Sequence, residues 1–205
     1  MSSFFLFSAS ITLVLLSTLS LSTADLVDTD GDPIRSGKNY YIIPINTTTP
    51  TSGLTYYAQK EVQCPLYITK DKTENSGGTP VWIWTQKDEP GPISLDEPVS
   101  LIFESEYYTP CLELLAWGMT MDPSGRKVYI TAGSGNTTAA LYEHPFTITK
   151  KENSPTSTYE LKYKTGTSLG LYEDDGLLGF APNPTMVSFV KAGYFLELPT
   201  TSKIQ

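Results

Sequence analysis

The first 24 residues contain no charged side chain. Residues 4–21 are mostly apolar with interspersed serine and threonine, and residues 22–24, Ser-Thr-Ala, are small enough for a signal peptidase. A membrane anchor would need about 20 strongly apolar residues, and the many hydroxyl side chains argue against one. The leader lacks the usual basic residue. We nevertheless predict that residues 1–24 are a secretory signal peptide and that residues 25–205 form one extracellular domain.

A cluster of basic residues is also missing. The 14 Lys and Arg residues and the 22 Asp and Glu residues all follow the leader, so the net charge of −8 belongs to the secreted part. An acidic protein without a basic patch lacks the electrostatic footprint of a nucleic-acid-binding protein, and anionic lipid would repel it. We therefore expect neither nucleic acid nor a membrane as a partner.

Histidine occurs once, as His144, and cysteine twice, as Cys64 and Cys111. One histidine leaves a single candidate base for a Ser-His-Asp or Cys-His arrangement, and His144, beside Pro145, is expected at the surface next to a turn. We therefore predict no enzymatic activity. In an exported chain, two cysteines predict one disulfide, Cys64–Cys111. They are too few for a recognisable zinc site, and we expect neither a metal nor a cofactor.

Two groups of carboxylates invite a functional interpretation. Residues 28–32, Asp-Thr-Asp-Gly-Asp, place acidic side chains at alternate positions, which suits a calcium ion. An EF-hand would need glycine and glutamate at its sixth and twelfth positions, where this chain has Pro33 and Asn39. Residues 174–176, Asp-Asp-Gly, could supply an acid and a base, but they are more typical of a hairpin turn.

Two asparagines lie in glycosylation sequons within loop-like sequence. Asn46 and Asn136 each begin the tripeptide Asn-Thr-Thr. We predict N-linked glycosylation at Asn46 or Asn136, which is consistent with passage through the secretory pathway.

Short aromatic and β-branched runs, separated by Gly, Pro, Asn and Ser, dominate the sequence after the leader and predict an all-β protein. Three runs begin at Tyr40, Val99 and Tyr159, spaced by 59 and then 60 residues, with four runs in each interval. This repetition predicts a β-trefoil of twelve short strands with pseudo-threefold symmetry. The runs are 40–44, 54–58, 66–69, 81–85, 99–103, 114–117, 128–131, 146–149, 159–163, 168–172, 177–180 and 186–190.

Two tryptophans alternate with aliphatic residues in the fourth run. Val81 and Ile83 would point to one face of a strand, and Trp82 and Trp84 to the other. The tryptophan pair could stack on a sugar. A barrel strand whose outer face is covered by a loop gives the same pattern, and we favour this structural explanation.

Residues 26–42 read Leu-x-Asp-x-Asp-Gly-Asp-x-Ile, then five residues, then Tyr-x-Ile. This pattern resembles the opening signature of the plant Kunitz inhibitors, the soybean trypsin inhibitor and miraculin-like family. The second cysteine pair usual in the family is absent from residues 164–168, and residues 192–205 extend past the last expected strand. Further segments similar to family motifs are 63–66, 78–81, 99–103 with Cys111, Trp117 with 126–133, 159–163, 169–172 and 187–191.

The resemblance implies a β-trefoil that inhibits a protease with a substrate-like loop between its fourth and fifth strands. In this chain the loop is residues 86–97, Gln-Lys-Asp-Glu-Pro-Gly-Pro-Ile-Ser-Leu-Asp-Glu. Ser36 stands where relatives carry an asparagine that braces this loop. The contact residues implied for the protease are Lys87, Asp88, Glu89, Pro90, Gly91 and Pro92.

The position that sets protease specificity has two candidates. Counting back from Phe103 places it at Glu89, but glutamate fits neither a trypsin nor a chymotrypsin pocket. In addition, Pro90 directly after it lacks the N–H of an extended contact. A shift of two residues places the position at Lys87, whose cation suits an Asp-lined pocket, with Asp88 weakening the fit. We favour Lys87.

Two functions are compatible with the resemblance. The first is a secreted, monomeric inhibitor acting in the apoplast, in plant defence or regulation, with a serine endopeptidase as the favoured partner and a cysteine protease or serine carboxypeptidase as alternatives. The second is a non-inhibitory trefoil with a storage, taste-active or carbohydrate-binding role. Prolines at positions 90, 92 and 98 stiffen the loop and favour the first, whereas the poor fit of Glu89 favours the second.

Overall fold

The computed structural model describes residues 25–45, 52–58, 64–87, 90–104, 111, 114–133, 143–151, 154–164 and 166–192. The predicted signal peptide, the sequon residues Asn46 and Asn136, the loop residues Asp88 and Glu89, and residues 193–205 lie outside these ranges. Within the described ranges, no helix is long and apolar enough to cross a membrane.

Twelve strands follow one another along the chain, and each overlaps one of the twelve predicted runs. Their bounds are β1 Lys38–Pro44, β2 Leu54–Tyr57, β3 Leu66–Lys70, β4 Val81–Thr85, β5 Pro98–Phe103, β6 Leu115–Met121, β7 Val128–Ala132, β8 Phe146–Thr149, β9 Tyr159–Tyr163, β10 Gly170–Leu171, β11 Leu178–Gly179 and β12 Met186–Lys191.

Six of these strands close into a barrel. β1 pairs with β4, β4 with β5, β5 with β8, β8 with β9, β9 with β12, and β12 again with β1, all antiparallel. The other strands form the hairpins β2–β3, β6–β7 and β10–β11, and β7 pairs with both β3 and β11. Since β1, β5 and β9 each open a four-strand unit, the predicted β-trefoil is confirmed.

Each four-strand unit contributes a buried residue to the core near the start of its first strand. Tyr40, Val99 and Tyr159, where the three spaced runs begin, are at most 2% exposed. Full burial of a large apolar side chain contributes about 1.5–3 kcal/mol to stability. The ring of Trp117 packs between Phe103 and Phe146, with centroids 5.1 and 6.1 Å away. The spacing detected in the sequence is therefore a spacing of core positions.

A disulfide joins Cys64 and Cys111, the predicted pair, with 5.6 Å between their Cα atoms. Cys64 lies just before β3 and Cys111 before β6, so the bond connects two of the hairpins and leaves the barrel strands unlinked.

The segment 25–36 folds into a tight turn before β1. Asp28 is fully buried, and its Oδ1 accepts hydrogen bonds from two backbone N–H groups of the turn, each at 3.0 Å. Gly31 has a φ of +86°, a conformation that favours glycine. The Lys191 ammonium lies 3.5 Å from Asp28 Oδ2 and forms an ion pair with Asp32. A lysine thus neutralises the carboxylates considered for calcium.

Two expectations about individual side chains are wrong. His144 is buried, and its Nδ1 lies 3.1 Å from the Oγ of Ser100 on β5. The sequence around His144 shows no sign of this polar partner, because Ser100 lies 44 residues away. Ser100 is 1% exposed, so the contact offers no access to a substrate. On β4, Trp82 and Trp84 are 43% and 44% exposed, and the outer face is not covered as expected. The turn predicted at residues 174–176 is present.

Candidate functional site

The connection from β4 to β5, residues 86–97, is the exposed loop that the resemblance implies. Its described residues are Gln86, Lys87 and 90–97. Gln86, Lys87, Pro90 and Pro92 are exposed, whereas Ile93 is fully buried. One half of the loop is therefore presented to solvent, and the other half is anchored in the protein.

The anchored half pairs with the segment 25–36. The N–H of Leu26 donates to the carbonyl of Ile93 at 2.9 Å, and the N–H of Ile93 donates to the carbonyl of Ile34, also at 2.9 Å. Arg35 and Pro92 form a further β-bridge. These bonds hold the backbone around Ile93 in an extended conformation.

Ser36 connects the two ends of the exposed half. Its Oγ accepts a hydrogen bond from the N–H of Thr85, the last residue of β4, at 3.1 Å. Its own N–H donates to the carbonyl of Gly91 at 2.9 Å. Ser36 is 3% exposed, so water competes little for these bonds. The ends of residues 86–90 are thereby fixed relative to each other by one residue.

Two buried tyrosines brace the segment that carries Ser36. The hydroxyl of Tyr40 accepts the N–H of Arg35 at 3.0 Å. The hydroxyl of Tyr159 accepts the N–H of Val27 at 2.9 Å and donates to its carbonyl at 3.0 Å. Burial raises the pKa of both phenols, which keeps them protonated at neutral pH.

Lys87 forms an ion pair inside the loop. Its Nζ lies 2.8 Å from Oε2 of Glu97 and 3.5 Å from the carbonyl oxygen of Pro92. The same Oε2 accepts the N–H of Ser94 at 3.0 Å. The Lys87 side chain is 52% exposed and that of Glu97 is 14% exposed, so only the lysine side of the pair is open to solvent. The amine favoured as the specificity group therefore bridges the two halves of the loop.

Sequence reasoning singled out Ser36 and Lys87 but missed Thr85, Glu97 and the two tyrosine hydroxyls. Thr85 had a visible signal, because it is the polar residue on the inward side of the fourth run. Glu97 had none, since it lies ten residues from Lys87 across an irregular loop. The structure bonds Gly91 to Ser36 and brings the Lys87 amine to 3.5 Å from the Pro92 carbonyl oxygen.

Comparison with known proteins identifies relatives across most of the chain. Residues 26–191 match the family model Kunitz_legume, described as trypsin and protease inhibitor. The endogenous alpha-amylase/subtilisin inhibitor of Triticum aestivum is 29% identical over 137 residues, covering 65% of this chain and 74% of its own. Subtilisin inhibitor CLSI-II of Canavalia lineata is 24% identical, covering 83% and 93%.

Solved structures show the same fold. The water-soluble chlorophyll protein of Brassica oleracea var. Botrytis with chlorophyll b is 24% identical, with a TM-score of 0.66, covering 82% of this chain and 98% of its own. Soybean trypsin inhibitor in complex with porcine pancreatic trypsin is 21% identical, with a TM-score of 0.64, covering 82% and 99%. At these identities the likeness concerns the fold alone.

Proposed function

The chain belongs to the legume Kunitz family of trypsin and protease inhibitors, and from that premise we propose that it inhibits a serine endopeptidase through residues 87–92 of its exposed loop. Members of this family are inhibitors and not enzymes. The observation that carries the proposal is the position of Ser36, which fixes both ends of the loop with one hydrogen bond each.

A loop held in this way binds with little further loss of conformational entropy. Ordering a free segment costs about 1–2 kcal/mol per residue, so a pre-ordered loop retains that much more of its contact energy. If the protease cleaves the loop, the new ends stay in place because Thr85 and Gly91 remain bonded to Ser36. The cleaved bond can then re-form, and net hydrolysis is slow.

Lys87 is proposed as the specificity residue, with Glu89 as the alternative. An Asp-lined pocket would have to take the Lys87 ammonium from Glu97, whose side chain is 14% exposed, so the cost exceeds the about 0–1 kcal/mol of a fully exposed ion pair. This cost lowers the affinity without preventing binding. We therefore expect weak inhibition of a trypsin-like enzyme, with a Ki of about 1 μM.

A panel titration tests the function. The purified secreted protein is titrated against trypsin, chymotrypsin, subtilisin, papain and a serine carboxypeptidase, with residual activity measured after each addition. We expect inhibition of at least one serine endopeptidase by a monomer. Failure against the whole panel would overturn the proposal in favour of the non-inhibitory alternative.

That alternative is a trefoil with a storage, taste-active or carbohydrate-binding role. It is favoured by the Lys87–Glu97 ion pair, which occupies the only basic side chain of residues 86–97. One structural neighbour with this fold is named for chlorophyll and not for a protease.

Export of the protein is a further proposal. We expect the mature chain to begin at Asp25 and to carry sugar on Asn46 or Asn136. Asp25 already forms a β-bridge with Ser94, and Leu26 is fully buried, so cleavage before Asp25 leaves the paired segment intact. Intact-mass measurement on the secreted fraction checks this, and a chain that retains Met1 would contradict it.

A further inference from the structure

The outer face of β4 presents two tryptophans to solvent. Trp82 and Trp84 are 43% and 44% exposed, while Val81 and Ile83 between and beside them are fully buried. In the part of the chain that the structure describes, neither indole N–H has a hydrogen-bond acceptor and neither ring packs on another ring. We call these two residues the indole pair. Exposed tryptophans at adjoining positions form a contiguous apolar surface, and such surfaces, when rimmed by polar residues, mark interaction sites.

The indole pair is flat and closely backed by the sheet. A Cβ placed on Gly37 would lie 3.4 Å from the ring of Trp84, so the ring lies against a residue without a side chain. Residues two apart on a strand are separated by about 6.6 Å, which is of the order of one sugar unit along an extended glycan. The two rings can therefore contact successive units of a chain-like ligand.

Polar groups adjoin the pair on the neighbouring strand. Asn39 of β1 is the register partner of Trp82, so both side chains point to the same face. The Nδ2 of Asn39 donates to the carboxylate of Glu104, while its Oδ1 is buried without a partner. A buried acceptor left unpaired is costly, which favours an outward turn of the Asn39 side chain that would let a ligand hydroxyl reach this oxygen.

A cleft of about 740 Å³ continues from these polar groups. Asn39 and Glu104 line it together with Arg35 and Lys38, and neither of these two cations forms an ion pair with any described residue. Another lysine in the cleft, Lys191, is neutralised by aspartates. The cleft is lined by three cations and by the two carboxylates of Asp32 and Glu104, so on a protein with a net charge of −8 its small positive excess favours an anionic ligand.

We propose that the indole pair and this cleft form a binding site for a short acidic oligosaccharide, a chain of uronic acid units. The C–H faces of the sugar rings stack on the electron-rich indole faces of Trp82 and Trp84. Asn39 and Glu104 bond the hydroxyls, and Arg35 and Lys38 pair with the carboxylates. The site contains no residue of the exposed loop, and the backbone of Arg35 is its only bridge to that loop among the described residues, so the proposal does not rest on protease inhibition.

A protein partner is the competing occupant of an exposed tryptophan pair, because tryptophan is enriched at the centres of protein interfaces. The observations favour sugar, since Asn39, the register partner of Trp82, also lines a cleft that contains two unpaired cations. The rim of a protein hot spot is also polar, so it is the pair of cations in the adjoining cleft that decides in favour of an anionic sugar.

Titration with three tetrasaccharides tests the proposal. Tetragalacturonide, its methyl ester and cellotetraose are added to the purified protein, and binding is followed by calorimetry and by the NMR signals of the indole N–H groups. We expect tetragalacturonide to bind with a Kd of about 1 mM or tighter and the uncharged sugars about tenfold more weakly. The Trp82 and Trp84 signals should shift, while that of Trp117, 1% exposed in the core, should stay.

Variants separate the two halves of the site. Trp82→Ala and Trp84→Ala should each weaken binding of all three sugars about tenfold. Arg35→Gln combined with Lys38→Gln should reduce binding of tetragalacturonide to that of its methyl ester and leave the ester unaffected. Met121→Ala, at a residue 62% exposed on β6, is the matched control and should change nothing.

Several outcomes would overturn the proposal. They are an absence of binding by tetragalacturonide, equal binding of the acid and its ester, or unchanged binding by both tryptophan variants with normal melting temperatures. If the sugars fail and Trp84→Ala instead weakens protease inhibition, the indole pair is a protein contact.

Discussion

Among single residues, Ser36 has the largest consequence for the exposed loop. Ser36→Ala removes the oxygen that accepts the Thr85 N–H at 3.1 Å and leaves a buried donor unpaired. Such a loss costs about 1–3 kcal/mol. We expect the inhibition constant to rise about tenfold, because the loop must then be ordered during binding. Titration against the protease found in the panel measures this.

A buried serine elsewhere provides the control. Ser52 is also 3% exposed, and its Oγ donates to the carbonyl of Thr73 at 2.9 Å. Ser52→Ala should lower the melting temperature by a similar amount and leave inhibition unchanged. Equal inhibition by the Ser36 and Ser52 variants would show that Ser36 stabilises the fold without ordering the loop.

The ion pair between Lys87 and Glu97 distinguishes two roles for the lysine. If Lys87 enters the protease pocket, Lys87→Ala abolishes trypsin inhibition, whereas Glu97→Gln frees the amine and leaves inhibition equal or up to about fivefold stronger. Because glutamine keeps an oxygen for the Ser94 N–H, the loop turn survives this change. We expect this pattern, measured as inhibition constants of the two variants.

A different pattern would assign Lys87 to support. If both variants weaken inhibition alike, the ion pair positions the loop and the specificity residue lies elsewhere, with Glu89 as the next candidate. Glu89→Ala then decides between this candidate and an inhibitory contact outside the loop.

At the scale of secondary-structure elements, local patterns predicted the strands well, because the barrel strands are short apolar runs. Buried residues alternate with less buried ones in β4 and β8 and are nearly continuous in β5. In β4 the inward Val81, Ile83 and Thr85 are all buried. Prediction fell short for β6, which continues to Met121 beyond the expected end at residue 117. Its last four residues, Gly-Met-Thr-Met, pair with β7 outside the core, and the alternating methionines are exposed where core-facing residues would be buried.

The supporting contacts of the loop could not be predicted from local patterns. The Tyr159 hydroxyl reaches Val27 over 132 positions of sequence, and the Ser36 hydroxyl reaches Thr85 over 49. Hydrogen bonds between residues so far apart depend on the closed barrel, which places β1, β4 and β9 around the same segment. The resemblance identified the position of Ser36, but its two partners required the structure.

One ion cluster ties β7 to the turn between β10 and β11. The Lys127 ammonium contacts Asp174 at 2.6 Å and Asp175 at 2.8 Å and lies 4.6 Å from the Tyr172 ring. Hydrogen bonds to Asp174 and then Asp175 raise the pKa of Lys127. Burial alone would raise the pKa of Asp175, but hydrogen bonds, first among them that from Lys127, hold it below its usual value.

Lys127→Met should therefore lower the melting temperature in a pH-dependent way. Because the pKa of Asp175 is lowered by folding, its contribution is present above the unfolded value of about 3.9 and is lost as the pH falls through the folded value. The difference between parent and variant should be largest near neutrality and shrink in acid. Calorimetric scans between neutral and acidic pH measure it.

The matched control is another exposed lysine. Lys164 pairs with Glu143 at 2.7 Å, and both side chains are about half exposed. Lys164→Met should change the melting temperature little, since isolated surface ion pairs contribute only about 0–1 kcal/mol. A pH-independent effect of Lys127→Met would instead attribute its role to packing on Tyr172.

In the whole molecule, a symmetric barrel supports an asymmetric site. Segment 25–36 precedes the first four-strand unit and bonds to the connection between the first and second units. That connection, residues 86–97, therefore gains a partner from outside the threefold repeat. The loop is held by the barrel strand β4 on one side and by this segment on the other, and the disulfide takes no part in either contact.

This separation predicts the effect of removing the disulfide. On the chain-entropy argument, a bond that closes a loop with a sequence separation of 47 contributes about 4 kcal/mol. For a domain of this size we expect the doubly substituted Cys64→Ser, Cys111→Ser protein to melt on the order of 10 °C lower.

The barrel strands should persist at room temperature, because the bond links hairpins that lie outside the barrel. Inhibition should also persist, since Ser36 still joins Thr85 to Gly91. Circular dichroism and protease titration of the parent, the reduced parent and the variant check this, and loss of inhibition at a temperature where the strands remain folded would show that the disulfide reaches the loop.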